Sequence, residues 1–89
     1  PTKRFGFDIM MLADGFEKAF IGTGCRFNIV VAVYDYSKCV KILMKRDGMK
    51  EYEAEEWMSY NVIGAWVGED TPVFVHIHSL KTALEEFVD

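Results

Sequence analysis

The run "FNIVVAVY", residues 27–34, constrains this chain most, because it is almost entirely apolar and rich in β-branched and aromatic side chains. Such residues favour a β-strand, in which successive side chains point to opposite faces of the sheet. Since the run has no polar alternation, both of its faces present apolar side chains. We therefore predict a strand that is buried on both faces and forms the centre of the domain.

A helix is predicted on the N-terminal side of this strand. Apolar residues recur there at spacings of three and four, which is the pattern of an amphipathic helix: Ile9, Leu12, Ala13, Phe16, Ala19 and Phe20. Gly15 falls inside this segment and weakens it, so the alternative is a helix that begins at Asp14 as its N-cap. Gly22 stands where a helix C′ glycine belongs, because the left-handed conformation has no steric cost in glycine.

Two further helices are predicted after the strand. Asp35 is a favourable N-cap for the segment "YSKCVKILMKR", and Gly48 marks the end of that helix. The next helix extends roughly over residues 49–60, with an apolar face centred on Trp57 and acidic side chains on the opposite face.

The C-terminal third is predicted to contain a strand pair and a last helix. Residues 62–67 and 72–78 form the two arms, and residues 68–71 form the turn between them. Ser79 then caps a short helix with the sequence "LKTALEEFV". The element order α-β-α-α-β-β-α predicts an α+β fold with a small sheet of about three strands, covered by helices on at least one face.

No linker, internal repeat or low-complexity segment divides the chain. We therefore predict a single domain over residues 1–89, in which residues 1–8 are either part of the fold or a disordered, appended arm.

The composition predicts self-association. Of the 89 residues, 51% are hydrophobic and 15% are aromatic. A domain of this length hides only about 60–65% of the surface that its unfolded chain exposes. Part of the apolar surface is therefore expected at an interface, where aromatic residues and Met are enriched. We expect a homo-oligomer, with a second protein as its further partner.

Charge and cysteine content argue against several other classes. The net charge of −4 disfavours nucleic-acid binding, which needs a contiguous face of Lys and Arg. No apolar run approaches the about 18 residues of a membrane-spanning helix, and the sequence begins without the apolar segment of a signal peptide. Two cysteines are too few for a disulfide-rich secreted scaffold. We expect a cytoplasmic protein that binds neither nucleic acid nor membranes.

The stretch "VAVYDYSKCVKILMKRDGM", followed by "NVIGAWVGEDTPVFV", resembles a group of small uncharacterised proteins encoded in phage and bacterial genomes. The resemblance covers roughly residues 19–75, which is most of the chain. It implies a prokaryotic or viral cytoplasmic setting. Because those relatives have no assigned activity, it implies no catalytic or binding residue.

The segment "GTGCR", residues 22–26, is the strongest candidate for a ligand site. A dinucleotide-binding fingerprint needs a third glycine where this chain has Phe27, and it also needs a strand before the glycines and a helix after them. Successive N–H groups around Gly22 and Gly24 could instead form an anion nest, with Arg26 as the counter-charge. The alternative is a helix end and turn in which the glycines have only a structural role.

A pocket at this turn is expected to be bounded by Asp35, Asn61 and the turn that contains Trp66. Trp66 lies between two glycines, which suits either an exposed aromatic platform or a core side chain with small neighbours. Cys25, in the glycine-containing segment, is the better candidate for a reactive thiol. Cys39 lies on the apolar stripe of its predicted helix and is interpreted as a buried, inert side chain.

His76 and His78 are two residues apart in a predicted strand, so both side chains would point to one face. Two imidazoles in this arrangement could supply two ligands to zinc or another divalent metal. A third ligand would have to come from Cys25, Asp35 or Asp70, and no spacing rule selects one of them. The alternative is a strand face that is exposed or covered by a helix.

Two functions are consistent with the sequence. The first is a non-enzymatic interaction protein that forms a homo-oligomer and binds a protein partner. The second is small-molecule or anion binding, with or without an enzymatic step, at the turn of residues 22–26. Neither a catalytic residue nor a cofactor is predicted.

Overall fold

A computed structural model describes residues 2–5, 10–65 and 68–87. The elements follow in chain order: β1 (Thr2–Phe5), β2 (Met10–Ala13), a 3₁₀ turn (Glu17–Ala19), β3 (Phe20–Arg26), β4 (Ile29–Asp35), α1 (Tyr36–Asp47), α2 (Glu51–Met58), a π-helical turn (Ser59–Ile63), β5 (Val73–Val75) and α3 (Leu80–Phe87). None of the described helices is both long and apolar enough to cross a bilayer.

The strands form two sheets. β1 and β2 pair as an antiparallel hairpin, so residues 2–5, which the sequence left open as an arm, belong to a strand. The second sheet has the order β3-β4-β5, in which β3 and β4 are antiparallel and β4 and β5 are parallel. Together with the three α-helices, this sheet confirms the predicted small α+β fold.

The strand predicted at residues 27–34 is confirmed as β4, the central strand of the larger sheet. Ala32 and Tyr34 are buried in the same core as residues of α1 and α2. Val31 and Val33 alternate with them and are only half-buried on the other face. Burial on both faces is therefore wrong for the single chain, because the helices cover one face of the sheet.

The helix predicted over residues 9–20 is wrong, since this segment contains β2 and the 3₁₀ turn. Gly15 interrupts the segment with a φ of 94°, which is open to glycine but not to a helical residue. The helical spacing of apolar residues arises because a strand, a turn and a 3₁₀ turn each direct side chains into one core. Three of the predicted residues are buried there: Ala13, Phe16 and Ala19.

Gly22 does not end a helix but lies in β3. The pairing of β3 with β4 shifts between Phe20 and Gly22, which indicates a β-bulge. Gly22 has a φ of 150° there, and this conformation is readily adopted by glycine alone.

The predicted ends of α1 are confirmed. The Lys38 backbone N–H donates to Asp35 Oδ1 at 3.3 Å, which is the geometry of an N-cap. Gly48 closes the helix in the left-handed conformation with a φ of 70°. The next predicted helix is present as α2, and its first turn is stabilised by a 2.8 Å hydrogen bond from the Lys50 N–H to Glu53 Oε1.

The strand pair predicted for residues 62–78 is wrong in its first arm. Val62 and Ile63 belong to the π-helical turn that extends α2, and residues 66–67 lie outside the described residues. The turn at residues 68–71 is confirmed by a 3.2 Å hydrogen bond from the Thr71 N–H to the Gly68 carbonyl. β5 pairs with the free edge of β4 rather than with a preceding arm.

The last helix begins as predicted, because the Thr82 N–H donates to Ser79 Oγ at 3.1 Å.

Tyr34 connects the separate parts of the core. Its ring stacks on Phe74 of β5, with 5.3 Å between ring centroids, and meets the edge of Phe20 at 5.7 Å. Its hydroxyl accepts a 2.8 Å hydrogen bond from the Ala13 N–H at the end of β2. Burial is the main reason that the pKa of Tyr34 lies above its usual value. One side chain thus joins the N-terminal hairpin to the three-stranded sheet.

Replacing Tyr34→Phe keeps the ring but leaves the buried Ala13 N–H without its acceptor. We expect the free energy of unfolding to fall by about 1–3 kcal/mol, the cost of an unsatisfied buried donor. Urea denaturation at one fixed protein concentration measures this loss. Tyr52→Phe is the control, because Tyr52 is 65% exposed. Equal stability of the two variants would contradict the role of the Tyr34 hydroxyl.

Candidate functional site

The face of the larger sheet that the helices leave uncovered carries a groove of about 500 Å³, which we call the open-face groove. Residues of β3, β4 and β5 form its floor, and residues 63–65 with residues of the turn at 68–71 form its wall. The groove is lined by Gly24, Cys25, Arg26, Ile29, Val31, Val33, Ile63, Gly64, Ala65, Glu69, Thr71, Pro72 and Val73.

Strand register explains why this floor is apolar. Gly24 pairs with Val31, and Val73 pairs with Val33, so these residues share the face that lies opposite Tyr34. A Cβ atom at Gly24 would stand 3.4 Å from Val33 Cγ2. Glycine at position 24 therefore keeps the floor of the groove open.

The lining offers few polar groups. Arg26 and Glu69 are the charged residues among those that line the open-face groove. The Thr71 hydroxyl donates to the Gly68 carbonyl at 2.5 Å and is committed to the turn. An apolar cavity of this volume with a few polar groups is typical of small-molecule sites, which span about 300–1,000 Å³. The groove suits apolar surface, whether of a ligand or of a protein.

The structure brings together part of the predicted ligand site. Gly24, Cys25 and Arg26 line the open-face groove, whereas Gly22 does not. The prediction of an anion nest in this segment is wrong, because the segment is strand β3 and pairs with β4 instead of forming a turn. The expected reversal of the chain comes later, at Phe27 and Asn28.

The other predicted boundary residues have different roles. Asp35 caps α1 through the Lys38 N–H, and the Asn61 side chain donates to the Trp57 carbonyl at 3.1 Å. Neither of them lines the groove. Trp66 lies outside the described residues.

The two predicted metal ligands are neighbours, but they follow β5 instead of lying in it. The ring centroids of His76 and His78 are 6.5 Å apart, and the His76 ring lies 4.4 Å from that of Tyr36. Across the described part of the chain, no group of three His, Cys, Asp or Glu residues is placed to hold a metal ion. The ring that packs against His76 is thus that of Tyr36, which is not one of these ligand types.

Strand register also separates Cys25 from the histidines. Cys25 pairs with Val30 near one end of β4, whereas His76 follows Val75, which pairs with Asp35 at the other end. Five residues of strand span about 16 Å, so a Cys25–histidine pair cannot form a nucleophile.

The two free cysteines differ as predicted in burial. Cys25 is exposed, whereas Cys39 is fully buried within α1. Burial, with a smaller contribution from Asp35, raises the pKa of the Cys39 thiol to about 12.

Phe27 is an exception to the usual chemistry of a two-residue hairpin loop. It connects β3 to β4 with a φ of 58°, where glycine or asparagine is the usual residue. Its side chain is 94% exposed. This aromatic side chain therefore does not pack in the core, and it does not lower the cost of the left-handed backbone conformation.

Sequence reasoning missed the valines of β4 and β5 as site residues, because it assigned Val31 and Val33 to the core. The absence of polar alternation in β4 did indicate that both faces of this strand are apolar. It could not specify which of the two apolar faces the helices would leave uncovered.

No family model, no curated protein and no solved structure matches this chain. The resemblance to phage and bacterial proteins therefore stays a prediction.

The two thiols should react at very different rates. At pH 8 and a protein concentration below the micromolar range, we expect iodoacetamide to modify Cys25 quickly, because it is exposed. Cys39 should react only after unfolding, because it is buried and its pKa of about 12 keeps it protonated. Mass spectrometry of intact protein counts the modified thiols. Cys25→Ser should abolish the fast reaction, and rapid double modification of the native wild type would contradict this assignment.

Proposed function

We propose that this chain is a small, non-enzymatic interaction protein that forms a homodimer through the open-face groove and has a second protein as its further partner. The observation that carries the proposal is the two-sided apolar character of β4. One side is buried in the core at Ala32 and Tyr34, while the other, with Val31 and Val33, forms the floor of an open groove. A second copy of the chain would cover the face that the first leaves exposed.

The area of exposed surface supports the same proposal. The chain exposes 6591 Å², whereas a compact monomer of this mass exposes about 5,300 Å². The difference of about 1,300 Å² exceeds the roughly 800 Å² that each partner buries in an interface of standard size. Enough surface is therefore available for a stable dimer.

The proposed setting is the cytoplasm of a bacterium or of a phage-infected cell. Both cysteines are free thiols, as expected in a reducing compartment. The bacterial or phage origin rests on the sequence resemblance.

We expect the wild-type chain to be a dimer at micromolar concentration in sedimentation velocity experiments. Ile63→Glu should shift it to a monomer, because this 50% exposed side chain lines the groove and its replacement puts an unpaired charge into the interface. We expect the dissociation constant of the dimer to rise by at least tenfold.

Tyr60→Glu is the matched control for this experiment. Tyr60 lies in the same π-helical turn and is 79% exposed, but it does not line the groove. Its variant should remain a dimer. A wild type that stays monomeric up to hundreds of micromolar, or a control that dissociates like the Ile63 variant, would refute the proposed interface.

Small-molecule binding in the same groove is the second candidate function. It is favoured by the volume of the groove and by Arg26 at its lining, which suit a ligand with an apolar body and one anionic group. The valines on the floor of the groove favour a ligand that is mainly apolar.

The fluorescent probe 8-anilinonaphthalene-1-sulfonate has this chemistry and tests the second candidate. We expect saturable binding at one site, with an affinity about threefold to tenfold weaker in Arg26→Gln because the anionic group loses its partner. Lys45→Gln is the control, since Lys45 is an exposed cation of α1 that does not line the groove. Equal affinity of the two variants would exclude the groove as the site.

A further inference from the structure

The last helix, α3, presents its apolar face to solvent. Leu80 and Leu84 lie one turn apart on the same face and are 76% and 54% exposed. Ile77, just before the helix, is 68% exposed. An amphipathic helix of a small domain normally buries this stripe.

In the described part of the chain, α3 has no partner that explains its apolar face. Within the described residues, no other element packs extensively against it. At eight residues, it is too short to be stable in water by its own hydrogen bonds. A helix of this kind gains its stability by burying the apolar stripe against another surface.

The same chain carries an apolar surface that lacks a cover. The open-face groove is floored by valines of β4 and β5, and none of the described side chains of α3 lines it. The molecule therefore exposes both a groove and a helix of matching apolar chemistry without joining them.

From this juxtaposition we propose a dimer in which α3 of each copy occupies the open-face groove of the other copy. Such an exchange is isologous, so it closes as a two-fold dimer and leaves no free groove or helix. The inference rests on the proposed homodimer and identifies the segment that fills the groove.

Charge is compatible with this occupant. The charged residues that line the groove, Arg26 and Glu69, have opposite signs. On α3, Lys81 and Glu85 are exposed and also have opposite signs. The groove lining has one charge of each sign, so it does not repel α3, whose charged residues are Lys81, Glu85 and Glu86.

The experiment uses two variants of the full chain. The groove variant is Ile63→Glu, and the helix variant is Leu80→Gln with Leu84→Gln, which keeps good helix formers while removing the apolar stripe. All three side chains are at least half exposed in the single chain, so folding should be retained, as circular dichroism would verify. Lys81→Gln, on the same helix, is the control.

Each variant alone should dimerise at least tenfold more weakly than the wild type, whereas the Lys81 control should not. An equimolar mixture of the two variants should form heterodimers. In the mixture, the intact helix of the groove variant can enter the intact groove of the helix variant. Sedimentation velocity with one variant fluorescently labelled measures this recovery, which a groove-to-groove dimer cannot produce.

The outcomes separate this inference from the proposed function. A helix variant that dimerises like the wild type refutes the role of α3 but leaves a groove-mediated dimer in place. A mixture that stays monomeric refutes the reciprocal exchange. A wild type that is monomeric at every concentration refutes both the exchange and the homodimer.

Discussion

The hydrogen bond from the Ala13 N–H to the Tyr34 hydroxyl joins two sheets that share no backbone pairing. β2 ends at the buried residue Ala13. Without an acceptor, its backbone N–H would be an unpaired buried donor, which costs stability. Tyr34 supplies that acceptor from the centre of the larger sheet while its ring stacks on Phe74 of β5. Tyr34 thus contacts both sheets, and Met10, Leu12 and Ala13 of β2 pack against the same core.

The position of Tyr34 also determines which face of β4 is left for binding. Because strand side chains alternate, placing Tyr34 and Ala32 in the core directs Val31 and Val33 to the opposite face. A polar residue at these two positions would have made that face an ordinary solvated surface. With valine there, the burial of one face and the exposure of an apolar groove on the other are consequences of the same strand.

The features that could be predicted from the sequence are those that a few neighbouring residues determine. Asp35 and Ser79 cap helices through amides three residues later, and Gly48 ends a helix by its own conformation. The features that were predicted wrongly, a helix in place of β2 and the pairing partner of β5, depend on distant partners. β2 needs β1 beside it, and β5 needs the edge of β4, so local spacing alone could not identify either pairing.

The candidate site shows the same difference between features that neighbouring residues determine and features that depend on distant partners. Gly24, Cys25 and Arg26 were singled out for glycine-turn chemistry, but they line the groove because β3 pairs with β4. The wall beyond them comes from residues about forty positions later in the chain. No short sequence motif can indicate a contact between residues so far apart in the chain.

The thin core and the exposed apolar surface have one physical origin. Among the described residues, a single layer of helices covers only one face of the larger sheet. Chains of this size often gain the missing burial by oligomerisation. The valines of β4 that remain half-buried in one copy then serve the fold and the interface together. In the proposed homodimer, stability and self-association are one property of this molecule, because the second copy completes the cover of β4.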